Sequence, residues 1–242
     1  MEEGKTLTGK GFKQKKEKCR KEIITIDGPA GAGKSTVSKI LARYLHYLYL
    51  DTGAMYRAVA LKVRQEGVNP EDEAALEGLC QNIKIIFKGD DEEKRVILDG
   101  EDVTRKIREP AIGWMASRVS MKRSVREAMV RLQRKIGEKG KIVAEGRDTG
   151  TVVFPDAGYK FFLSAEPGER ARRRQLELVG TDLSLKVEEI EKEMARRDEQ
   201  DSSRELAPLR RATDALLIDS TGLTPEEVVA RMLQVVLKGK EN

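Results

Sequence analysis

Residues Gly28 to Ser35 read Gly-Pro-Ala-Gly-Ala-Gly-Lys-Ser, between the apolar run Ile23-Ile24-Thr25-Ile26 and a helix-period pattern. This strand, loop, helix order constrains the fold more than any other feature, because only there does a glycine-rich loop acquire a mechanical purpose. Main-chain N–H groups can wrap a polyphosphate only where the backbone turns left-handed and no side chain blocks the approach. Gly28, Gly31 and Gly33 meet that need, with Pro29, Ala30, Ala32 and Thr36 completing the cradle. Lys34 is placed to reach the outer phosphates and the Ser35 hydroxyl to ligate magnesium, while the following helix aims its free N–H groups at the same charge. Val37, Ile40, Leu41, Tyr44 and Leu45 recur on one face of that helix. A nucleoside triphosphate site is expected.

Five short apolar segments read as strands: Ile23 to Ile26, Leu48 to Leu50, Lys141 to Ala144, Tyr159 to Leu163 and Leu216 to Ile218. Helical patterns separate them. Continuous apolar runs alternating with helices imply an α/β fold with a five-stranded parallel sheet and helices on both faces, a P-loop NTPase architecture. Ligands bind at the carboxyl ends of such strands. There the chain places the phosphate loop, then Asp51-Thr52-Gly53, then Glu145-Gly146-Arg147-Asp148, and after the fourth strand an arginine-rich helix. The stretch between the second and third strands is far longer than one crossover needs, so residues 61–137 are expected to form an inserted subdomain. In it Ile83, Ile85 and Phe87 alternate with polar residues, Gly89-Asp90-Asp91 turns the chain, and Val96 and Leu98 return, which predicts a small antiparallel hairpin. Residues 22–60 and 138–238 make the core, with a helical lid within about 165–203.

The net charge of +5 gives little support to nucleic-acid binding, because residues 1–22 carry eight Lys/Arg against four Asp/Glu, leaving the remainder near balance. Residues 1–21 lack apolar periodicity and read as a disordered basic tail. No apolar run reaches membrane-spanning length and no secretory leader is apparent. Cys19 and Cys80 lack a metal-ligand or redox spacing, which suits a cytoplasmic protein.

The chain has no Asn-Lys-x-Asp segment for reading guanine, and its only histidine, His46, falls on the helix pattern before the second strand, where a structural role is expected. Phosphoryl transfer needs no covalent catalyst; positioning, magnesium and cationic side chains suffice. Arg170, Arg173 and Arg174 fall at i, i+3, i+4 and share a helix face, with Arg172 pointing elsewhere. A second cluster contains Arg196, Arg197, Arg204, Arg210 and Arg211. The same arginines would serve as ion pairs on an exposed helix, and Glu169, Glu177 and Glu191 are spaced for that. As a group they fit a lid that closes over the triphosphate and keeps water out, with Lys34, Arg147, Arg173 and Arg174 the candidate catalytic cations and Arg173 also a contact of the donor.

Several segments together carry a resemblance to the bacterial cytidylate kinase family. They are Ile24-Thr25-Ile26-Asp27-Gly28-Pro29 with its loop, Asp51 to Arg57, Glu145 to Asp156, Arg197-Asp198 through Asp201 and Arg204, and Asp214-Ala215-Leu216 to Ser220. The likeness covers essentially everything after the basic tail. It implies transfer of the ATP γ-phosphate to CMP or dCMP on a nucleoside-monophosphate-kinase fold with an enlarged insert. It further implies that Thr52, Arg57, Arg147 and Arg204 hold the acceptor phosphate, Ser117, Arg126 and Asp148 read cytosine, and Arg197 and Asp201 meet the sugar. Cytosine shows a donor amino group beside acceptor ring positions, which a carboxylate and an arginine complement. Magnesium is expected on Ser35 directly and on Asp51 or Glu145 through water. A monomer acting on small molecules is expected, with no membrane and no obligate nucleic acid. The competing readings are a kinase for another acceptor such as uridylate, and a nucleic-acid-stimulated ATPase, against which the scarcity of aromatics for base stacking speaks.

Overall fold

The computed structural model describes residues 22–89, 95–178 and 186–241. The basic tail, most of the Gly89-Asp90-Asp91 turn and Cys19 lie outside the described residues. Five strands form the main sheet: β1 (Ile23–Asp27), β2 (Leu48–Asp51), β6 (Ile142–Gly146), β7 (Tyr159–Ser164) and β8 (Leu216–Asp219). Their spatial order is β2-β6-β1-β7-β8, and every pairing is parallel. β1 is central, with β6 on one side and β7 on the other, so the chain reverses its direction of sheet growth there. The carboxyl end of β1 is therefore the crevice where such sheets bind ligands, and the phosphate loop occupies it.

Period-two alternation along the strands builds two cores, one on each face. Ile23, Leu50, Ile142 and Ala144 face the layer of α2 (Thr52–Gln65), α3 (Glu73–Asn82), α4 (Pro110–Val119) and α5 (Arg123–Gly137). Ile24, Ile26, Val143, Phe161 and Leu163 face α1 (Lys34–Leu45) and α8 (Pro225–Glu241). His46 ends α1 as a left-handed cap at φ 54, and Tyr47 N–H bonds back to Ala42 O. Thr224 and Glu227 reciprocally cap the start of α8, as Pro225 at its first position anticipates.

The small antiparallel sheet has three strands where the sequence reading gave two: β3 (Ile85–Lys88), β4 (Arg95–Leu98) and β5 (Glu101–Asp102). Asp99 (φ 49) and Gly100 (φ 96) both take positive φ, as a two-residue hairpin of matching twist requires, and the turn folds Glu101 back onto Leu98. The third strand is too short for alternation to reveal. The two helices between β7 and β8, α6 (Pro167–Leu178) and α7 (Val187–Ser203), pack on each other through Ala171, Ile190 and Met194, and Ala30 of the phosphate loop rests on the same group. α2 runs unbroken across residue 60, so the insert grows from a core helix.

Candidate active site

The phosphate loop is tightly fitted. A Cβ on Gly28 (φ 149) would lie 2.0 Å from Leu163 O, and one on Gly31 (φ 72) would lie 2.6 Å from Met194 Cε. Gly33 (φ 85) begins α1 without a side-chain cap, so first-turn N–H groups remain available to an anion. Lys34 is buried and donates to Pro29 O at 2.6 Å. Burial, and next the charge of Arg147, lowers its amine to about 7. Ser35 and Thr36 are exposed at the helix start. The Ser35 hydroxyl donates to Glu145 Oε2 at 3.0 Å, and Tyr49 donates to the other Glu145 oxygen. Burial, and next the neighbouring Asp51, raises the Glu145 carboxyl to about 7. Asp51 also caps α2, accepting from Ala54 N–H at 2.9 Å.

Beside this loop, β6 delivers Arg147 and Asp148 and then a π-helical turn, Thr149–Val153. Asp27, at the end of β1, pins that turn by accepting from Thr149 N–H (2.9 Å), the Thr149 hydroxyl (2.8 Å) and Gly150 N–H (2.7 Å). Burial still raises its carboxyl above the ordinary value. Both glycines of the Glu-Gly-Arg-Asp-Thr-Gly run are steric necessities: a Cβ on Gly146 would lie 2.6 Å from Thr52 Oγ1, and one on Gly150 2.8 Å from Thr25 Oγ1. The Thr52 hydroxyl itself donates to Glu145 O at 2.6 Å.

A buried network of alternating charge follows. Arg126 of α5 pairs with Asp148 Oδ2, Arg204 lies 3.4 Å from Asp148 Oδ1 and 3.6 Å from Asp201, and Arg147 Nε donates to Asp201 at 2.8 Å. Arg126 also donates to Ser120 O and stands 5.5 Å from the Tyr56 ring centre. Glu73 of α3 places the start of α5 by accepting from Arg123 N–H and Ser124 N–H, each at 3.2 Å.

Next to the network, Arg57, Arg108, Trp114, Ser117, Arg174 and Arg197 line a cleft between α2, α4, α6 and α7. Arg57 donates to Ile107 O at 3.1 Å and Ser117 to Gln200 Oε1 at 2.9 Å. Arg197 Nε is buried without a partner. Burial, and next Arg147, lowers the Arg197 guanidinium to about 10.

The arginine clusters divide. Arg170 turns to Asp198 and Ala30 O, Arg173 to Glu169, Ser220 Oγ and Ser220 O, and Arg174 to Glu177 and the cleft. Sharing one face did not give these three a common target, because that face spans the phosphate loop, the end of β8 and the cleft. Arg172 is exposed and pairs with Glu169. In the second cluster Arg197 and Arg204 turn inward, whereas Arg196, Arg210 and Arg211 are exposed. Asp27, Tyr49, Asp198 and Gln200 went unassigned in the sequence reading. Asp27 and Asp198 sit inside the quoted motifs, a usable signal; Tyr49 and Gln200 gain meaning only from partners about a hundred or eighty residues away.

The cytidylate kinase family model matches residues 24–238. The cytidylate kinase of Geobacter sulfurreducens is 52% identical over 214 residues, 88% of this chain and 92% of that protein. That of Carboxydothermus hydrogenoformans is 48% identical over 219 residues, 90% and 98%. Among solved structures, one of an uncharacterized protein from Eubacterium ventriosum superposes with a TM-score of 0.51 at 10% identity, covering 88% of this chain and 97% of that one, a likeness of fold alone. With the phosphate loop, the pinned Arg147-Asp148 turn and the family match extending over nearly all the described residues, the chain belongs to the cytidylate kinase family.

Proposed function

We propose that this chain moves the γ-phosphate of ATP, held at the phosphate loop, to CMP or dCMP held beside it at the Arg147–Asp148 network and the cleft lined by Arg57, Arg174 and Arg197. The carrying observation is that Arg57, Arg108, Arg174 and Arg197 line one cleft, with Arg197 Nε buried and without a hydrogen-bond partner, and burial and neighbouring cations hold Arg57 and Arg197 below their ordinary pKa values. Like charges about 5 Å apart repel by about 3 kcal/mol at an effective dielectric of about 20, so such a cluster is completed by an anion. Two nucleotides laid end to end supply it, and the cations offset the repulsion between their phosphates.

The loop amides from Gly28 to Thr36 hold the donor phosphates, with Lys34 at the outer ones. Thr52, Arg57, Arg147 and Arg204 hold the acceptor phosphate, Arg197 and Asp201 the sugar, and Ser117, Arg126 and Asp148 the cytosine. The buried Arg126–Asp148 pair adds little net stability, since desolvation consumes its attraction, and its worth lies in recognition. Uracil offers a carbonyl where cytosine has an amino group and meets Asp148 with repulsion. Arg173 and Arg174 both serve the migrating phosphate from α6: Arg173, held by Ser220 and Glu169, lies beside Gly33 of the phosphate loop, and Arg174, paired with Glu177, lines the cleft.

Ser35, Glu145 and Asp51 fit magnesium: they are hard oxygen donors, and Asp51 and Glu145 repel one another until a cation lies near. Among the described residues no ready-made three-ligand cage exists, and magnesium characteristically takes one or two carboxylates plus substrate phosphates. When bound, the ion neutralises charge developing on the transferred group. Glu145 is the better water-mediated partner, since it already contacts Ser35 while Asp51 caps a helix.

The chain is proposed to act as a monomer on small molecules, and no helix among the described residues is long and apolar enough to cross a membrane. Two cysteines far apart in the sequence fit the reducing cytoplasm proposed as its setting. Initial rates with CMP, dCMP, UMP and AMP test the reading. A kcat/KM for CMP and dCMP well above the other two is expected, and equal rates for UMP would overturn it.

A further inference from the structure

Helix α7 presents two working faces. Arg197, Asp201 and Arg204 point to the acceptor network, and Gln200 ties the helix to Ser117 of α4. Ile190, Met194 and Asp198, spaced by four residues, turn to the phosphate loop. On that side Asp198 Oδ1 accepts from Ala30 N–H at 3.0 Å and Oδ2 pairs with Arg170. The same Arg170 guanidinium donates to Ala30 O at 3.0 Å and to Ala165 O at 3.2 Å. Both polar groups of one phosphate-loop residue are thus held by a single ion pair bridging α6 and α7.

A carboxylate against a loop built for polyphosphate is electrostatically adverse, and its charge also reaches Lys34. An apolar contact, already present in Met194 beside Gly31, would anchor the helix without that cost. What the carboxylate adds is a directional bond that fixes the Ala30 peptide plane, and with it the aim of the amides that follow. Arg197 is adjacent in the chain and Asp201 one turn further, so a shift of α7 toward an acceptor nucleotide moves Asp198 with it.

We propose that Asp198 is a positioning residue that couples the two nucleotide sites: acceptor binding seats α7, and Asp198 passes that seating to the donor loop. The inference rests on the reading of the two sites given above. Coupling of this kind is reciprocal and amounts to roughly 5- to 150-fold in affinity.

The test is calorimetric titration of the whole chain with a non-hydrolysable, methylene-bridged ATP analogue and magnesium, with and without saturating CMP, and the reverse titration. In the unaltered chain each nucleotide is expected to tighten the other by the same factor, at least ~5-fold. In Asp198→Ala that factor should fall to near one while CMP binding alone is unchanged. Asp198→Asn keeps an acceptor for Ala30 N–H but weakens the Arg170 pair, so an intermediate factor is expected; it also carries the test if Asp198→Ala melts before titration. Unchanged coupling in either variant, or no coupling in the unaltered chain, overturns the role of Asp198. Failure of the unaltered chain to bind CMP at all instead overturns the assignment of the acceptor site.

Discussion

Lys34 is a buried ammonium whose partner in the folded chain is the Pro29 carbonyl, a weak substitute for a phosphate. Burial lowers its pKa, which fits a lysine kept for the proposed phosphate contact rather than for stability. Lys34→Ala is expected to lose at least ~10²-fold in kcat, the scale of deleting one electrostatic stabiliser of a transition state. Its melting temperature should be unchanged or higher, because the desolvated charge is gone. A large drop in melting temperature would show that Lys34 is a structural cation. Asp148 makes a separate prediction: Asp148→Ala should lose the preference for CMP over UMP while affinity for an ATP analogue survives. Base selectivity equal to that of the unaltered chain would remove Asp148 from its role. The types and spacing of both residues were legible in the sequence. Their burial was not, since it depends on what β7, α5 and α7 bring over them.

At the scale of elements, the turn after β6 is shaped by Asp27 from another strand. Asp27→Ala would strand the buried N–H groups of Thr149 and Gly150, at about 1–3 kcal/mol per unsatisfied group. A fall in the denaturation midpoint should accompany weakened discrimination between CMP and UMP, because Arg147 and Asp148 lose their fixed origin. Normal discrimination in a destabilised variant would confine Asp27 to a structural role. Helix α6 gives a pH prediction. Hydrogen bonds from Arg172 first, and then Arg173, hold Glu169 down at about 2, below the unfolded value of about 4.3. The pair therefore stabilises the fold above about pH 4.3 and loses its contribution as pH falls toward 2. The Glu169 side chain is 21% exposed but that of Arg172 is 59% exposed, so the effect is modest and screened by salt. Urea unfolding of the unaltered chain and Glu169→Gln should differ above pH 4.3 and converge at acid pH, with the gap narrowing in high salt; a constant gap would assign it to packing. Periodicity made each of these helices legible, yet it gave no sign of which strand end an arginine on the shared face would reach.

For the whole molecule, five apolar runs, the glycine-rich loop and the polar groups after four of the five strands were enough to fix the α/β class and the parallel sheet, and to point to the end of it proposed to carry the chemistry. These follow from local rules: alternation, helical period, and the absence of a Cβ where backbone must meet phosphate. Strand order was not available locally. Placing β1 between β6 and β7 brings Asp27 under the Arg147-Asp148 turn and Lys34 beside Arg147 and Glu145. The partners of Arg126, Ser117 and Asp198 likewise come from distant segments. The sequence by itself determined which residues can bind anions and that a nucleotide loop opens the fold. Only the tertiary structure decided which of those charges are buried together, because desolvation and Coulomb energy depend on distances in space that spacing along the chain does not encode.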